Sequence, residues 1–376
     1  MKILYCIAGT SNSGGMERVL ANKANYLVQH GYEVVIVTTD QRGAAPFFAL
    51  DSRIRSIDLA INYEENNGKS FFNKVVKYPY KQYVHRRRLT QVLRQENPDI
   101  TVSMYCNEAS FLAGIRDGSK KVLEIHFSKF KRLQYARTGL WGLVDRWRTR
   151  NDERLVQRYD KFVVLTEEDR GYWGDLPNIM VIPNARTFTP TKFAALDEKR
   201  VVAIGRYSHQ KGFERLIAAW SDVAKQYPDW QLDIVGGGEL KEVLLQQIKA
   251  LGLEDKVFLK SPTSDVESVY VNASIYAMSS RYEGLPMVLL EAQAFGLPIV
   301  SFRCKCGPTD VIRPGETGIL VDEGDVRGLA KGIIQLIASP ELRHQMGLAA
   351  IQASARFDEH RIMNCWMELF NTLSKR

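Results

Sequence analysis

Two doubly wound α/β domains in tandem are what this chain of 376 residues predicts, and three observations carry that expectation. Short apolar runs alternate with longer stretches of helical periodicity, the mark of strand–helix–strand units around parallel sheets. The pattern runs to about residue 184 and restarts near residue 200, which divides the chain into 1–184 and 185–356 ahead of a closing helical segment. The composition, 45% apolar and 25% charged, is that of an ordinary soluble protein with enough core for two domains.

In the first domain, Ile3 to Ala8 is an unbroken apolar run suited to the middle of a parallel sheet. Met16, Val19, Leu20, Ala24, Leu27 and Val28 follow at helical spacing, Gly31 stops that helix, and Glu33 to Thr39 is the next strand. Between strand and helix lies Ser13-Gly14-Gly15-Met16-Glu17, a glycine turn where backbone can approach a phosphate, although any tight turn can use two glycines. Asp99 to Met104 and Lys121 to Ile125 are further strands. The second runs into His126, at a carboxyl end where open α/β sheets bind ligands. Lys161 to Leu165 precedes Thr166-Glu167-Glu168-Asp169 and the segment Val181-Ile182-Pro183-Asn184-Ala185.

The net charge of +8 resides before residue 185, the rest of the chain being neutral. Residues 69–94 hold Lys69, Lys74, Lys77, Lys81, Arg86, Arg87, Arg88 and Arg94 with Phe71, Phe72, Tyr78, Tyr80 and Tyr83 and no acid. Residues 128–150 repeat the mixture, with Lys129, Lys131, Arg132, Arg137, Arg146, Arg148 and Arg150 around Trp141 and Trp147. No nucleic-acid module accompanies these runs, so an anionic membrane surface or lipid-phosphate acceptor is the sharper reading, with a solvated helix face as the plain one.

After residue 185 the pattern restarts with a strand at Val201 to Ile204, the loop Gly205-Arg206-Tyr207-Ser208-His209-Gln210-Lys211-Gly212, and a helical stripe at Phe213, Leu216, Ile217 and Trp220. Arg206 and Lys211 on one loop at a strand's carboxyl end can neutralise a diphosphate, though loop charges are also often solvated. Leu232 to Val235 enters Gly236-Gly237-Gly238, a turn that lacks Gly-x-Gly-x-x-Gly and does not open its domain, so a dinucleotide site there is weakly supported. Strands follow at 257–259, 274–277 and 298–301, the first closed by Lys260-Ser261-Pro262.

The remaining stretch, Ser279 to Ala292, is a loop feeding a helix, with Pro286 at the first helical position and Gly296 as the stop. The positive helix end then faces Glu283-Gly284-Leu285, where Gly284 lets an anionic ligand close to the backbone. Glu283 and Glu291, eight residues apart, would lie about 12 Å apart along the axis if both were helical. Carboxylates suit sugar or ribose hydroxyls rather than phosphates, so hydroxyl, phosphate, hydroxyl outlines a nucleotide sugar. The plain alternative is a core helix with two unrelated glutamates.

Glu283-Gly284-Leu285-Pro286 with Glu291, together with Gly205-Arg206-x4-Lys211-Gly212, resembles the signature of retaining glycosyltransferases of family 4. That resemblance implies the GT-B fold, two Rossmann-like doubly wound domains facing a central cleft, with the closing segment 357–376 returning to the first. It implies an acceptor-binding first domain and a donor-binding second one, and transfer of a sugar from a nucleotide donor to a hydroxyl with retention of configuration. In it Arg206 and Lys211 clamp the diphosphate, Gly284, Leu285 and Pro286 form the phosphate-facing helix end, and Glu283 holds the sugar. Glu291 holds the ribose, His126 meets the sugar's far side, Lys260 begins the segment that holds the base through backbone contacts, and Gly14 and Gly15 match the N-terminal loop. Gly307-Pro308-Thr309-Asp310 resembles an element common where the donor is a uridine-linked hexose or N-acetylhexosamine.

No metal is expected, since cations and a helix end can neutralise the leaving diphosphate and no Asp-x-Asp occurs. The nucleotide sugar is then substrate rather than cofactor, and the acceptor a lipid-linked or envelope glycan. Cys304-x-Cys306 lacks the partners of a closed zinc site, and five cysteines without framework spacing fit a reducing, cytoplasmic compartment. No run approaches a membrane span, so any membrane attachment is peripheral. A nucleotide-sugar epimerase and a non-catalytic carbohydrate-binding protein are the rivals. The first lacks a second acid/base motif, and the second would have no need of an intact clamp.

Overall fold

The structure, a computed structural model, describes residues 1–66, 71–130, 149 and 151–375. The first sheet has the order β3-β2-β1-β4-β5-β6-β7. Its strands are β1 (Lys2–Ile7), β2 (Glu33–Thr38), β3 (Arg55–Asp58), β4 (Ile100–Ser103), β5 (Lys120–Glu124), β6 (Lys161–Val164) and β7 (Ile179–Val181). The second sheet has the order β10-β9-β8-β11-β12-β13. Its strands are β8 (Arg200–Ile204), β9 (Gln231–Val235), β10 (Val257–Lys260), β11 (Ile275–Met278), β12 (Ile299–Arg303) and β13 (Gly318–Asp322). Every strand pairing in both is parallel.

Each sheet therefore reverses direction beside its first strand, β1 in one and β8 in the other. This is the doubly wound architecture the sequence predicts, and loops leaving the carboxyl ends at the reversal are where such sheets present ligand-binding groups. The edge strands β3 and β7 and the last strand β13 were not anticipated. Arg55–Asp58 is polar and mostly exposed, and Ile179–Val181 is three half-buried residues, so neither gives the apolar run of a central strand.

The chain divides into two compact units, Met1–Leu165 with Arg170–Pro183 and Ile362–Arg376, and Thr166–Asp169 with Asn184–Arg361. The limits differ from those expected in three places, the first being Asn184 itself, which falls in the second unit. Residues 166–169 group with the second unit because Asp310 accepts the Glu167 N–H at 2.8 Å and the Thr309 hydroxyl donates to Glu168 at 2.8 Å. Residues 357–361 also stay there, since Arg186 N–H donates to the Phe357 carbonyl at 2.8 Å and its guanidinium to Asp358 at 3.2 Å.

Burial explains the central elements. Ile3, Leu4, Tyr5 and Ile36 in β1 and β2, and Val201, Val202, Leu232 and Ile275 in the second sheet, are essentially inaccessible. The helix Phe213–Gln226 turns Phe213, Leu216, Ile217, Trp220 and Val223 inward at the predicted spacing. The helix Glu359–Ser374, which enters the first unit at Ile362, does the same there with Met363, Trp366 and Phe370.

Of the two basic stretches, the helix Phe71–Glu96 carries the first. The second, with Lys131, Arg132, Arg137, Trp141, Arg146, Trp147, Arg148 and Arg150, lies outside the described residues, as do Lys69 and the side chains of Phe71, Phe72 and Lys74.

Glu108 is buried beyond β4, its Oε1 accepting the Ser103 hydroxyl at 2.6 Å. Burial pushes its carboxyl up from 4.5 to about 7 against that bond. Between those values the folded chain keeps a proton that the unfolded chain has lost. Stability therefore falls as pH rises through the window, by roughly 1.4 kcal/mol for each unit of pKa difference. Urea titrations at pH 5 and pH 8 should show a smaller loss for Glu108→Gln than for the wild type. Equal losses would mean that the carboxyl ionises in the folded state as it does in the unfolded one.

Candidate functional site

In the second unit, β8 ends at Ile204 and the chain crosses Gly205 to Gly212 before re-entering a helix. Gly212 has φ +60°, and a Cβ there would stand 2.5 Å from the Ser279 carbonyl oxygen, so glycine is needed both for conformation and for approach. A Cβ on Gly205 would press on the Lys211 stem at 3.1–3.2 Å. The strip following β11 is stitched to this loop by three bonds: Ser279 hydroxyl to the Lys211 carbonyl (3.0 Å), Arg281 N–H to the Gln210 carbonyl (2.8 Å), and the Arg281 guanidinium to the His209 carbonyl (2.7 Å). Arg281 also pairs with Glu214.

That stitching brings two predicted residues together. Lys211 Nζ lies 2.7 Å from Glu283 Oε1, with the lysine and glutamate side chains 18% and 8% exposed. Gln210 Nε2 donates to the Tyr282 carbonyl at 3.1 Å and approaches Glu283 Oε2 at 3.4 Å. The Glu283 N–H donates to the Lys305 carbonyl at 2.8 Å. Arg206, on the same loop, is exposed, and its side chain makes no ion pair with the described residues. Of the two cations that the sequence assigns to a diphosphate, Lys211 is thus paired within the unit and Arg206 makes no ion pair with the described residues.

The helix beyond Glu283 spans Met287–Ala294, and no side chain caps it. Pro286 is its N-cap rather than its first helical residue, a correction to the sequence expectation. Its ψ of 102° is extended while its carbonyl already accepts the Leu289 N–H, and a proline φ of −71° suits either position. Gly296, at φ +80°, ends the helix as expected. Leu285 is buried, and Gly307, at φ +97°, comes so close that a Cβ would stand 2.4 Å from Pro286 Cδ and 2.9 Å from the Gly284 carbonyl oxygen.

Glu291 sits in the second turn, buried, with the Tyr270 hydroxyl donating to its Oε2 at 2.8 Å. Tyr276 on β11 is held far above the usual phenol range by burial and then by the charges of Glu291 and Glu283, so both carboxylates lie near one buried ring. The Lys260 ammonium donates to Asp233 Oδ2 at 2.7 Å, which Arg200 also reaches at 2.9 Å. Its carbonyl accepts the Gly236 N–H at 2.9 Å, with the Tyr207 hydroxyl at 2.8 Å.

The first unit holds the other predicted residues. Gly14 caps the helix Gly15–Gln29 without a side-chain bond. A Cβ on Gly15 would meet nothing within 4 Å among the described residues, so their packing does not require glycine there. His126 follows β5 with its Nε2 3.1 Å from Glu124 Oε1, the oxygen that Lys23 Nζ holds at 2.6 Å. Lys23, Glu124, Gln210, Asp233 and Tyr270 were all overlooked from sequence. The available signal was a charge where apolarity is expected: Lys23 sits between Leu20 and Leu27 on a buried helix face, and Glu124 and Asp233 interrupt buried strands.

Comparison with known proteins gives two family matches, glycosyl transferases group 1 over residues 186–353 and glycosyltransferase family 4 over residues 13–188. A Haemophilus influenzae protein described as an uncharacterised glycosyltransferase is 34% identical over 371 residues, 97% of this chain and 98% of the relative. The amylovoran biosynthesis glycosyltransferase AmsD of Erwinia amylovora is 31% identical over 383 residues, 98% of this chain and 99% of the relative. Among solved structures, a TarM variant of S. aureus in complex with fondaparinux, α-GlcNAc-glycerol and UDP superposes with a TM-score of 0.78. It shares 17% identity over 98% of this chain and 99% of that one, a likeness of fold.

The glycine geometry yields a paired test. Gly315, at φ +79°, has open space where a Cβ would go, whereas Gly307 does not. Gly315→Ala should cost about 1–2 kcal/mol, the usual penalty of the left-handed region, and Gly307→Ala clearly more, because Pro286 must also move. Denaturant titration of both measures the difference. Equal costs would mean that the Gly307 contact relaxes freely.

Proposed function

Since the chain belongs to the glycosyl transferases group 1 family and is a glycosyltransferase, we propose that it moves a hexose or N-acetylhexosamine from a uridine-diphosphate donor to a hydroxyl of a lipid-linked or envelope glycan, retaining configuration. The observation that carries this reading is the β8 loop, which bears exposed Arg206 and pairs its Lys211 with Glu283, just ahead of an uncapped helix end. As the glycosidic bond breaks, negative charge grows on the departing diphosphate. Lys211 is a cation already held in place by Glu283 and Arg206 is a free cation on the same loop, so the two together stabilise that charge. Lys211 keeps two further N–H groups for a phosphate while one bonds Glu283.

Glu283 is assigned to the sugar hydroxyls, where its bond to Lys211 couples sugar position to the leaving group. Glu291 is assigned to the ribose, with Tyr270 fixing the carboxylate's orientation. The family resemblance assigns His126 to the sugar as well. Charge neutralisation by these groups makes a divalent metal unnecessary in this mechanism. The UDP donor is supported by the Gly307-Pro308-x-Asp310 element and by the UDP of the TarM complex, and the glycan acceptor by the name of AmsD.

A panel of nucleotide sugars, followed by nucleotide release with and without EDTA, tests the reading. Transfer from one donor should survive the chelator, and Arg206→Ala and Lys211→Ala should each lower kcat by about two orders of magnitude or more. Near-wild-type rates in both variants would remove the clamp, and activity that only added magnesium or manganese restores would replace it with a metal site.

A peripheral position at the inner face of the cell membrane completes the proposal. On the helix Phe71–Glu96, Tyr80 and Tyr83 are 70% and 65% exposed, and Tyr83, Arg86, Arg87 and Arg94 line one exposed groove. Arg88 belongs to a different side, donating to the Leu59 and Ala60 carbonyls. No helix among the described residues is long and apolar enough to cross a membrane. Each cation near an anionic leaflet contributes about 1 kcal/mol, enough in sum for reversible attachment. In flotation, vesicles containing phosphatidylglycerol should carry the protein and pure phosphatidylcholine should not. Salt and the triple change of Arg86, Arg87 and Arg94 to Ala should both weaken it. Indifference to lipid charge or to the triple change would discard this surface.

A further inference from the structure

The first unit buries a charged cluster at the carboxyl end of β5. Glu124 is 1% exposed, and its Oε1 receives the Lys23 ammonium at 2.6 Å. Lys23 is 4% exposed, and its other side is covered by the Trp366 ring, whose centre is 3.6 Å from Nζ. Burial alone would raise the Glu124 carboxyl, but Lys23 and then His126 outweigh it and bring it down to about 2, so the group is an anion. A buried ion pair of this kind adds little stability over an apolar pair of the same volume, so its presence beside a candidate substrate residue calls for another reason.

The imidazole supplies one. His126 Nε2 stands 3.1 Å from the same Oε1, although the alignment falls short of a full hydrogen bond. A ring nitrogen presenting its lone pair to a carboxylate at that distance is repelled, and one presenting N–H is attracted. Nδ1 bonds to none of the described residues and is not among the sealed unpartnered atoms. In a neutral imidazole the nitrogen without the proton is the acceptor.

We propose that Glu124, kept anionic by Lys23 beneath Trp366, is a positioning residue that fixes His126 as the Nε2–H tautomer, so that Nδ1 accepts a hydrogen bond from a substrate hydroxyl. This rests on the assignment of His126 to the sugar, and it adds which nitrogen acts and what selects it. Glu124 itself touches no substrate. With the opposite tautomer, Nδ1 would carry a hydrogen and could only donate.

The test reads the imidazole directly. Nitrogen-15 NMR of the full chain labelled at histidine, with His126 identified by its loss in His126→Gln, should show the Nε2–H form above the pH at which the ring becomes neutral. The variant Lys23→Met with Glu124→Leu removes both charges at similar volume and keeps the core filled, which its thermal melt verifies. In it the tautomer should shift to a mixture, and kcat should fall about tenfold, the scale of one misplaced hydrogen bond, with donor KM changed less. Single Glu124→Gln, which can turn an amide N–H toward Nε2, should favour the Nδ1–H form. An Nδ1–H signal in the wild type, or an unaltered tautomer in the double variant, overturns the inference. Because the NMR result needs no turnover, it is separable from failure of the sugar-transfer reading, which the donor panel would reveal.

Discussion

A lysine and a glutamate seventy-two positions apart, Lys211 and Glu283, meet across 2.7 Å, and the close contacts around them hold their two segments together. Two partly buried charges cost desolvation on both sides, which geometry must offset. Gly212 can adopt the left-handed conformation that Lys211 requires of its neighbour, and Ser279 and Arg281 fasten the two segments backbone to side chain. Gly307 lets a third segment press on Pro286 from the other side. The pair is thus a result of close backbone approach at several glycines.

Before any ligand arrives, this pairing divides labour between the two cations. Lys211 is held in one place by its counter-charge, while Arg206 stays solvated and free to reorient. On the proposed reading an incoming diphosphate meets one fixed donor and one adaptable one, while Glu283 is held by the same contact that holds the lysine. The fork of an arginine suits the adaptable role, since it can engage two oxygens once oriented, and the compact ammonium suits the fixed one.

The sequence was legible where one physical signal dominated. Apolar runs located β1, β2, β8 and β11, and the stripe Phe213 to Trp220 located its helix, because central parallel strands and amphipathic helices leave unmistakable periods. Gly-Arg-x4-Lys-Gly and the glutamate pair drew attention to two segments that the fold joins through Lys211 and Glu283. What could not be read was pairing across the chain. Nothing in the residues around Lys211 says that its partner is Glu283, and nothing around Glu291 points to Tyr270. Edge strands such as β3 were hidden because half-exposed strands need no apolar run. Lys23 and Glu124 were hidden for the opposite reason, since each was a charge absorbed into an otherwise apolar pattern.

Trp366 has a bearing on how the chain is made. The first unit's Lys23–Glu124 pair is roofed by an indole that follows the entire second unit in sequence. A ribosome therefore delivers the first unit with two charges and an apolar face still open, and that state lasts until every residue of the second unit has been synthesised. The nascent first unit is then a client for whatever shields exposed cores during translation. Premature termination anywhere between Asn184 and Arg361 leaves it permanently unroofed, an abnormal product that quality-control proteases can recognise even though its sheet is complete.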